Sequence, residues 1–107
     1  MKMITAIVNR KDSAAVCDAL REKGYIFTKV ASSGGFLSTG NVTILMGTED
    51  DKVEEAVEII RSNSARRMEP AAGSVVADYP MYSTIPAEVP VGGATVFVTN
   101  VEFYEKM

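Results

Sequence analysis

The fold is decided by residues 25–46, which read YIFTKVASSGGFLSTGNVTILM. Runs rich in apolar and β-branched residues at 25–31 and 42–46 predict two strands. Between them, the Ser-Ser-Gly-Gly sequence at 32–35 and a further glycine, Gly40, predict a break in regular structure, because glycine-rich segments favour turns. The segment therefore predicts two consecutive strands joined by a glycine-rich connection.

A strand and a helix precede this pair of strands. Residues 3–8 form a short apolar run that is typical of a buried strand. Asp12 or Ser13 can then cap a helix, in which apolar residues recur at helical spacing, and Gly24 predicts its end. The chain up to residue 46 thus reads β-α-β-β.

A second helix and a last strand follow. Thr48 and Asp51 resemble a capping box, with Asp in place of the usual Glu, and an apolar face predicts a helix that continues to about Asn63. Residues 93–99 predict the last strand. The resulting order, βαββαβ, is typical of the ferredoxin-like α+β folds.

A chain of 107 residues has the size of one domain, so we expect residues 1–107 to form a single unit. Two parts of it predict flexible loops, at about 32–40 and 64–92. The second of these contains all four prolines of the chain, and regular structure is not expected in it. Short strands near 75–77 or 88–91 are the alternatives within that loop.

Composition and charge exclude several functional classes. The chain has 11 Lys and Arg against 14 Asp and Glu, a net charge of −3, which disfavours binding to duplex DNA or to an anionic membrane. Without histidine and with one cysteine, Cys17, the sequence predicts no metal site, no catalytic residue and no enzymatic activity. The single cysteine and the lack of a signal peptide at the first residues indicate a cytoplasmic protein.

The predicted strands are apolar on both faces. Ile4, Ala6 and Val8 alternate with Met3 and Ile7, whereas a half-exposed antiparallel sheet should alternate apolar and polar residues. Two helices can cover one face of a four-stranded sheet, so the second face needs another cover. We favour burial against other subunits. The alternative is that the loop at 64–92 folds back over this face.

The glycine-rich connection has the composition of a ligand-binding loop. Backbone amides around the Gly-Gly pair at 34–35 can converge on an anion, and Phe36 can stack on a flat ring. Thr28 and Asn41 flank the loop and can hydrogen-bond a base edge. Together these features suit a nucleotide. The alternative is a hairpin loop in which Phe36 and Leu37 pack into a core or an interface.

Three blocks of the sequence resemble one known family. The start MKMITAIV at 1–8, the run TKVASSGGFLSTGNVT at 28–43 and the block VGGATVFV at 91–98 resemble the PII-like cyclic di-AMP receptors, in this order and over almost the whole chain. The resemblance implies a ferredoxin-like protomer in a homotrimer, with the sheets facing the trimer centre. It also implies a dinucleotide held in clefts between neighbouring protomers.

The resemblance also implies the ligand-binding residues. Carried over by matching position, they are Thr28, Gly35, Phe36, Leu37, Asn41, Gly47 and Phe97. The sequence departs from the family pattern at Gly24, Ile26 and Lys106, where that pattern has Asn, Arg and Gln.

Two functions follow as hypotheses. The first is a PII-like signal-transduction protein that binds cyclic di-AMP, or a related adenine nucleotide, between protomers and relays occupancy through its loops. Its expected partners are two further copies of the chain, a nucleotide ligand and a downstream protein, with no cofactor. The second is a divergent or ligand-free PII-like trimer that binds a protein partner through residues 64–92.

Overall fold

In the computed structural model, which describes residues 1–32, 40–70 and 88–107, two helices pack on one face of an antiparallel sheet. The elements in chain order are β1 (Lys2–Asn9), α1 (Arg10–Glu22), β2 (Thr28–Ser32), β3 (Asn41–Thr48), a 3-10 turn (Asp50–Lys52), α2 (Val53–Asn63), β4 (Arg67–Pro70), β5 (Glu88–Val91) and β6 (Ala94–Asn100). The predicted α+β class, with a ferredoxin-like order of elements, is confirmed.

The four-stranded sheet has the strand order β2-β3-β1-β6. Every pairing in it is antiparallel, and β1 lies between β3 and β6, so that Ala6 is opposite Ile44 on one side and Val96 on the other. Strands β2 and β6 are the two edges. Among the described residues, no further strand pairs with their outer backbone groups.

The core lies between the sheet and the two helices. Residues alternate along β1 between buried and more accessible positions, as the period of a strand requires. The buried apolar side chains come from β1, β3, both helices and the segment before β2: Ile4, Ala6, Val8, Val16, Cys17, Leu20, Tyr25, Val42, Ile44, Met46, Ala56 and Ile60. We call the opposite side of the sheet, on which Met3, Thr5 and Ile7 lie, the outer face.

Helix α1 begins earlier than its sequence predicts. The Asn9 side chain accepts a hydrogen bond from the Lys11 amide at 2.9 Å, so Asn9 is the cap, and the expected cap at Asp12 or Ser13 is wrong. Both predicted caps lie inside the first turns of the helix and are buried. The end near Gly24 is confirmed, because Gly24 has φ +84° and its amide donates to the Arg21 carbonyl.

The predicted capping box of the second helix is wrong. Thr48 is the last residue of β3, where it is opposite Lys2, and the residues directly before the two helical segments are Glu49 and Lys52. A 3-10 turn precedes α2 instead, and neither Glu49 nor Lys52 makes a side-chain cap at these helix starts. The predicted end of the helix near Asn63 is confirmed.

The strand expected over residues 25–31 begins later, at Thr28. Tyr25 is turned inward and is buried, so the segment that follows α1 runs against the helices before it joins the sheet. The expectation that 64–92 lacks regular structure is also wrong in part, since Arg67–Pro70 pairs with Glu88–Val91 in a second, two-stranded sheet. The alternative strand near 88–91 is confirmed. The alternative near 75–77 and most of the loop predicted at 32–40 lie outside the described residues.

Candidate functional site

A groove of about 470 Å³ lies at the β2 edge of the sheet. Its walls include the apolar side chains of Met3, Ile26 and Leu45, which the outer face and the segment before β2 contribute. The hydroxyl-bearing Thr28 lies on the same wall. Lys106, from the segment that follows β6, adds an ammonium group. The groove therefore combines apolar surface, one hydroxyl and a cation.

The register of the strands explains this groove. Thr28 is opposite Leu45, and two residues further along β3 Gly47 is opposite Met3. Because Gly47 has no side chain, the sheet surface is open at that position, and a Cβ there would meet nothing nearer than the Met1 sulphur at 3.8 Å. Ile26 stands beside this opening with 83% of its surface exposed.

Tyr25 anchors the segment that forms one wall of the groove. Its amide donates to the Leu20 carbonyl at 3.0 Å, and its phenol oxygen lies 2.7 Å from Glu55 Oε1 and 3.1 Å from the Lys52 carbonyl. Burial and the hydrogen bond to the Glu55 carboxylate raise the pKa of Tyr25 to about 12. The phenol therefore stays protonated and ties the wall residues at 26–28 to α2.

The structure places two of the predicted ligand-binding residues in the groove and one on the far edge of the sheet. Thr28 and Gly47 line the groove. On the outer face, Thr28, Leu45, Thr5 and Phe97 follow one another across the four strands. With strands spaced about 4.8 Å apart, Thr28 and Phe97 are separated by about 14 Å. Phe97 is 43% exposed.

Asn41 lies at a third position. It is four residues from Leu45 along β3, which at about 3.3 Å per residue is about 13 Å from the row that contains Thr28. Asn41 is buried and follows Gly40, whose carbonyl accepts a hydrogen bond from the Arg10 amide at 2.9 Å. The remaining predicted residues, Gly35, Phe36 and Leu37, lie outside the described residues.

Sequence reasoning did not identify Tyr25 or Arg10 as residues that position the site. The position of Tyr25 directly after the helix stop is a weak indication of burial, because an apolar residue there often packs back on the helix. The apolar run at 25–31 instead predicts it to be the first residue of a strand. Arg10 carried no signal, because its contact with Gly40 joins residues 30 positions apart in the sequence.

The metal-ligating and thiol side chains of the described residues can be located in the structure. No group of three or more His, Cys, Asp and Glu side chains is close enough to hold a metal within 1–32, 40–70 and 88–107. Cys17 is buried, and burial raises the pKa of its thiol, which keeps it in the unreactive protonated form. Over the same described ranges, no helix is long and apolar enough to cross a membrane.

Comparison with known proteins identifies the family of this chain. The family model described as cyclic-di-AMP receptor matches residues 1–107, the whole chain. The chain belongs to the cyclic-di-AMP receptor family. It is therefore a nucleotide-binding protein of a receptor family, and the resemblance noted in the sequence is confirmed.

Two solved structures are similar to this member of the cyclic-di-AMP receptor family. A functionally unknown protein from Pediococcus pentosaceus is 35% identical, with a TM-score of 0.78, over 99% of this chain and 96% of that chain. The PII protein of Arabidopsis thaliana, solved with bound citrate, is 19% identical, with a TM-score of 0.61, over 94% of this chain and 73% of that one. The second likeness shows that the fold is PII-like.

Proposed function

We propose that this protein binds cyclic di-AMP, or a related adenine nucleotide, between the protomers of a homotrimer. In this proposal occupancy of the site is relayed through the loops to a downstream protein partner. The protein acts as a single domain in the cytoplasm, uses no cofactor and catalyses no reaction on the bound nucleotide.

The observation that carries the proposal is the separation of the ligand-binding residues on one exposed face. Thr28 and Phe97 lie at opposite edges of the sheet, about 14 Å apart, and no single base can contact both within one protomer. Within 1–32, 40–70 and 88–107, no strand pairs with the outer side of either edge. A second copy whose β6 edge approaches the β2 edge of the first copy brings the two residues together.

The chemistry of the groove supports a nucleotide with few charges. Met3, Ile26 and Leu45 offer an apolar surface on which a base can be buried, and Thr28 can hydrogen-bond its edge. Lys106 provides an ammonium group for a phosphate. A phosphodiester carries one negative charge per phosphate, so this groove suits a cyclic dinucleotide better than a triphosphate.

Isothermal titration calorimetry with cyclic di-AMP, cyclic di-GMP and ATP tests the proposal. We expect cyclic di-AMP to bind most tightly. Lys106→Met, which removes the charge and its hydrogen-bond donors, should weaken binding about tenfold to a hundredfold, since a hydrogen bond to a charged group contributes about 1.5–3 kcal/mol. Lys23→Met, which removes an exposed lysine beside α1, is the matched control and should leave the affinity unchanged.

The titration also separates the two hypotheses. Binding of cyclic di-AMP that depends on Lys106 supports the nucleotide sensor. An intact trimer that binds none of the three nucleotides contradicts it and supports a trimeric module that binds a protein through residues 64–92.

A further inference from the structure

The first turn of α1 contacts two separate parts of the chain, Gly40 before β3 and the two-stranded sheet of β4 and β5, which we call the β4–β5 ladder. On one side it contacts Gly40. The Arg10 amide donates to the Gly40 carbonyl at 2.9 Å, and the Arg10 guanidinium covers the glycine so closely that a Cβ there would lie 2.8 Å from its terminal nitrogen. Gly40 has φ +57°, a backbone conformation that favours glycine, and a side chain at this position would have to displace the Arg10 guanidinium.

On the other side, the same turn holds the β4–β5 ladder. Asp12, which is 5% exposed, forms an ion pair with Arg67 of β4 at 2.9 Å between Oδ1 and Nη2. Arg67 Nε also lies 2.7 Å from Glu69 Oε2, and Lys11 Nζ lies 3.7 Å from Glu69 Oε1. Four side chains thus join two consecutive helix residues to two residues of one strand.

The carboxylate of Asp12 depends on this strand for its partner. Its second oxygen, Oδ2, is buried and has no hydrogen-bond partner within the described part of the chain. Gly92, directly after β5, lies against it: a Cβ at Gly92 would be 3.1 Å from Asp12 Oδ2 and 2.7 Å from the Ala65 carbonyl. Because a buried charge is costly without its partner, the ladder and the helix turn hold each other in one arrangement.

We propose that the first turn of α1 is a junction that couples the position of Gly40 to the β4–β5 ladder through the Asp12–Arg67 ion pair. A shift of Gly40 moves the Arg10 amide, and with it the helix turn that carries Asp12. The coupling between Gly40 and the ladder is independent of the proposed function. Its use as a relay of nucleotide occupancy rests on the proposed function.

Coupling of this kind is reciprocal. If a change in the position of Gly40 alters the equilibrium constant for opening the ladder, then opening the ladder must alter the equilibrium between the positions of Gly40 by the same factor. A ligand that shifts Gly40 therefore changes the ladder, and a protein that binds the ladder changes the affinity for that ligand. Couplings between sites are typically about fivefold to 150-fold.

The first experiment uses no ligand. Amide hydrogen exchange of residues 67–69, 89 and 91 is measured in the parent chain, in Gly40→Ala, in Asp12→Asn and in the double variant. We expect Gly40→Ala to increase ladder exchange about fivefold or more relative to the parent. In the Asp12→Asn background, where the ion pair is absent, the same change at Gly40 should have no further effect.

Two further variants keep this experiment decisive. Arg10→Met leaves glycine at position 40 and removes the guanidinium, so it serves where Gly40→Ala fails to fold, and it should also increase ladder exchange. Arg21→Gln removes an arginine that pairs with Asp18 at the opposite end of α1 from the junction, and should leave ladder exchange unchanged. Equal effects of the Gly40 change with and without Asp12 would overturn the junction.

The second experiment adds cyclic di-AMP. We expect saturating ligand to change ladder exchange in the parent chain, and to change it about fivefold less in Asp12→Asn. Tight binding with the same ladder response in both chains would overturn the junction and leave the proposed function standing. Absence of binding in the parent would contradict the proposed function, and the ligand-free experiment would still decide the junction.

Discussion

The two faces of the four-stranded sheet differ in how completely the chain covers them. On the helical face, Ile4, Ala6 and Ile44 have no exposed surface. On the outer face, Met3 and Phe97 remain 37% and 43% exposed, although they are as apolar as the buried residues. The helices account for the first face. The second face carries large apolar side chains among threonines, and no helix among the described residues packs on it, which is typical of a surface that other chains or a ligand cover.

This difference predicts where a substitution affects folding and where it affects assembly. The largest expected effect is on the helical face. Leu20→Ala, at a fully buried position of α1, should lower the free energy of unfolding by about 2–5 kcal/mol, because it leaves a cavity in the core. Thermal or urea unfolding checks this. Val30, on the outer face, is 44% exposed, so Val30→Ala is the control and should change the free energy of unfolding by less than about 1 kcal/mol in the isolated protomer.

The next largest effect is on assembly. Val30→Lys places a charge on the outer face, and a trimer that packs its sheets together would have to bury that charge unpaired. We expect light scattering to show a trimer for the parent and mainly protomers for Val30→Lys at micromolar concentration. Ala14→Lys adds the same charge on the exposed side of α1 and should remain a trimer. Equal masses for the two variants would contradict burial of the outer face.

A smaller effect is expected in the glycine-rich connection. If Phe36 stacks on an adenine, Phe36→Ala should weaken nucleotide binding about tenfold to a hundredfold, since stacking of a base on an aromatic side chain contributes about 1–3 kcal/mol. The trimer should remain intact in light scattering. Unchanged affinity in calorimetry would mean that Phe36 packs in an interface instead.

The smallest effect concerns the anchor of the groove. Tyr25→Phe removes a buried hydrogen bond to Glu55 and should lower stability by about 1 kcal/mol at neutral pH. Tyr104→Phe, at a 61% exposed position, is the matched control and should have no effect.

The same tyrosine predicts a pH dependence. The folded chain holds the Tyr25 proton up to a pKa of about 12, whereas the unfolded chain releases it at the ordinary value near 10. Folding therefore binds a proton between these values, and stability should fall as the pH rises from about 10 to about 12. A plot of the free energy of unfolding against pH should therefore fall less steeply between about pH 10 and 12 for Tyr25→Phe than for the parent. An unchanged slope would mean that Tyr25 titrates normally in the folded chain.

The sequence predicted the fold because the order of its elements depends on short-range patterns. The strand at 3–8, the stop at Gly24 and the helix end near Asn63 all follow from periodicity or from the conformational freedom of glycine. The strand Arg67–Pro70 is not predicted, because its sequence, RMEP, contains neither an alternating pattern nor an apolar run. Its partner lies beyond position 87, and only the folded chain shows the pairing.

For the candidate site, the sequence proposes members but does not predict their arrangement. A resemblance supplies Thr28, Gly47 and Phe97 as one set, whereas the register places Phe97 at the opposite edge of the sheet. Side chains that act through tertiary contacts, such as Asp12 with Arg67, could not be found from the sequence, because 55 positions separate an ordinary first-turn aspartate from its partner.

A mixed-trimer titration tests most directly whether the site lies between two copies. Thr28→Glu, which places a negative charge in the groove, and Phe97→Ala should each abolish tight binding of cyclic di-AMP when either variant is assayed alone. In trimers refolded from an equal mixture, about a quarter of the interfaces combine an intact Thr28 from one copy with an intact Phe97 from its neighbour. We predict that this fraction of sites regains the parental affinity. A mixture that binds no better than either variant alone would contradict a site shared between protomers.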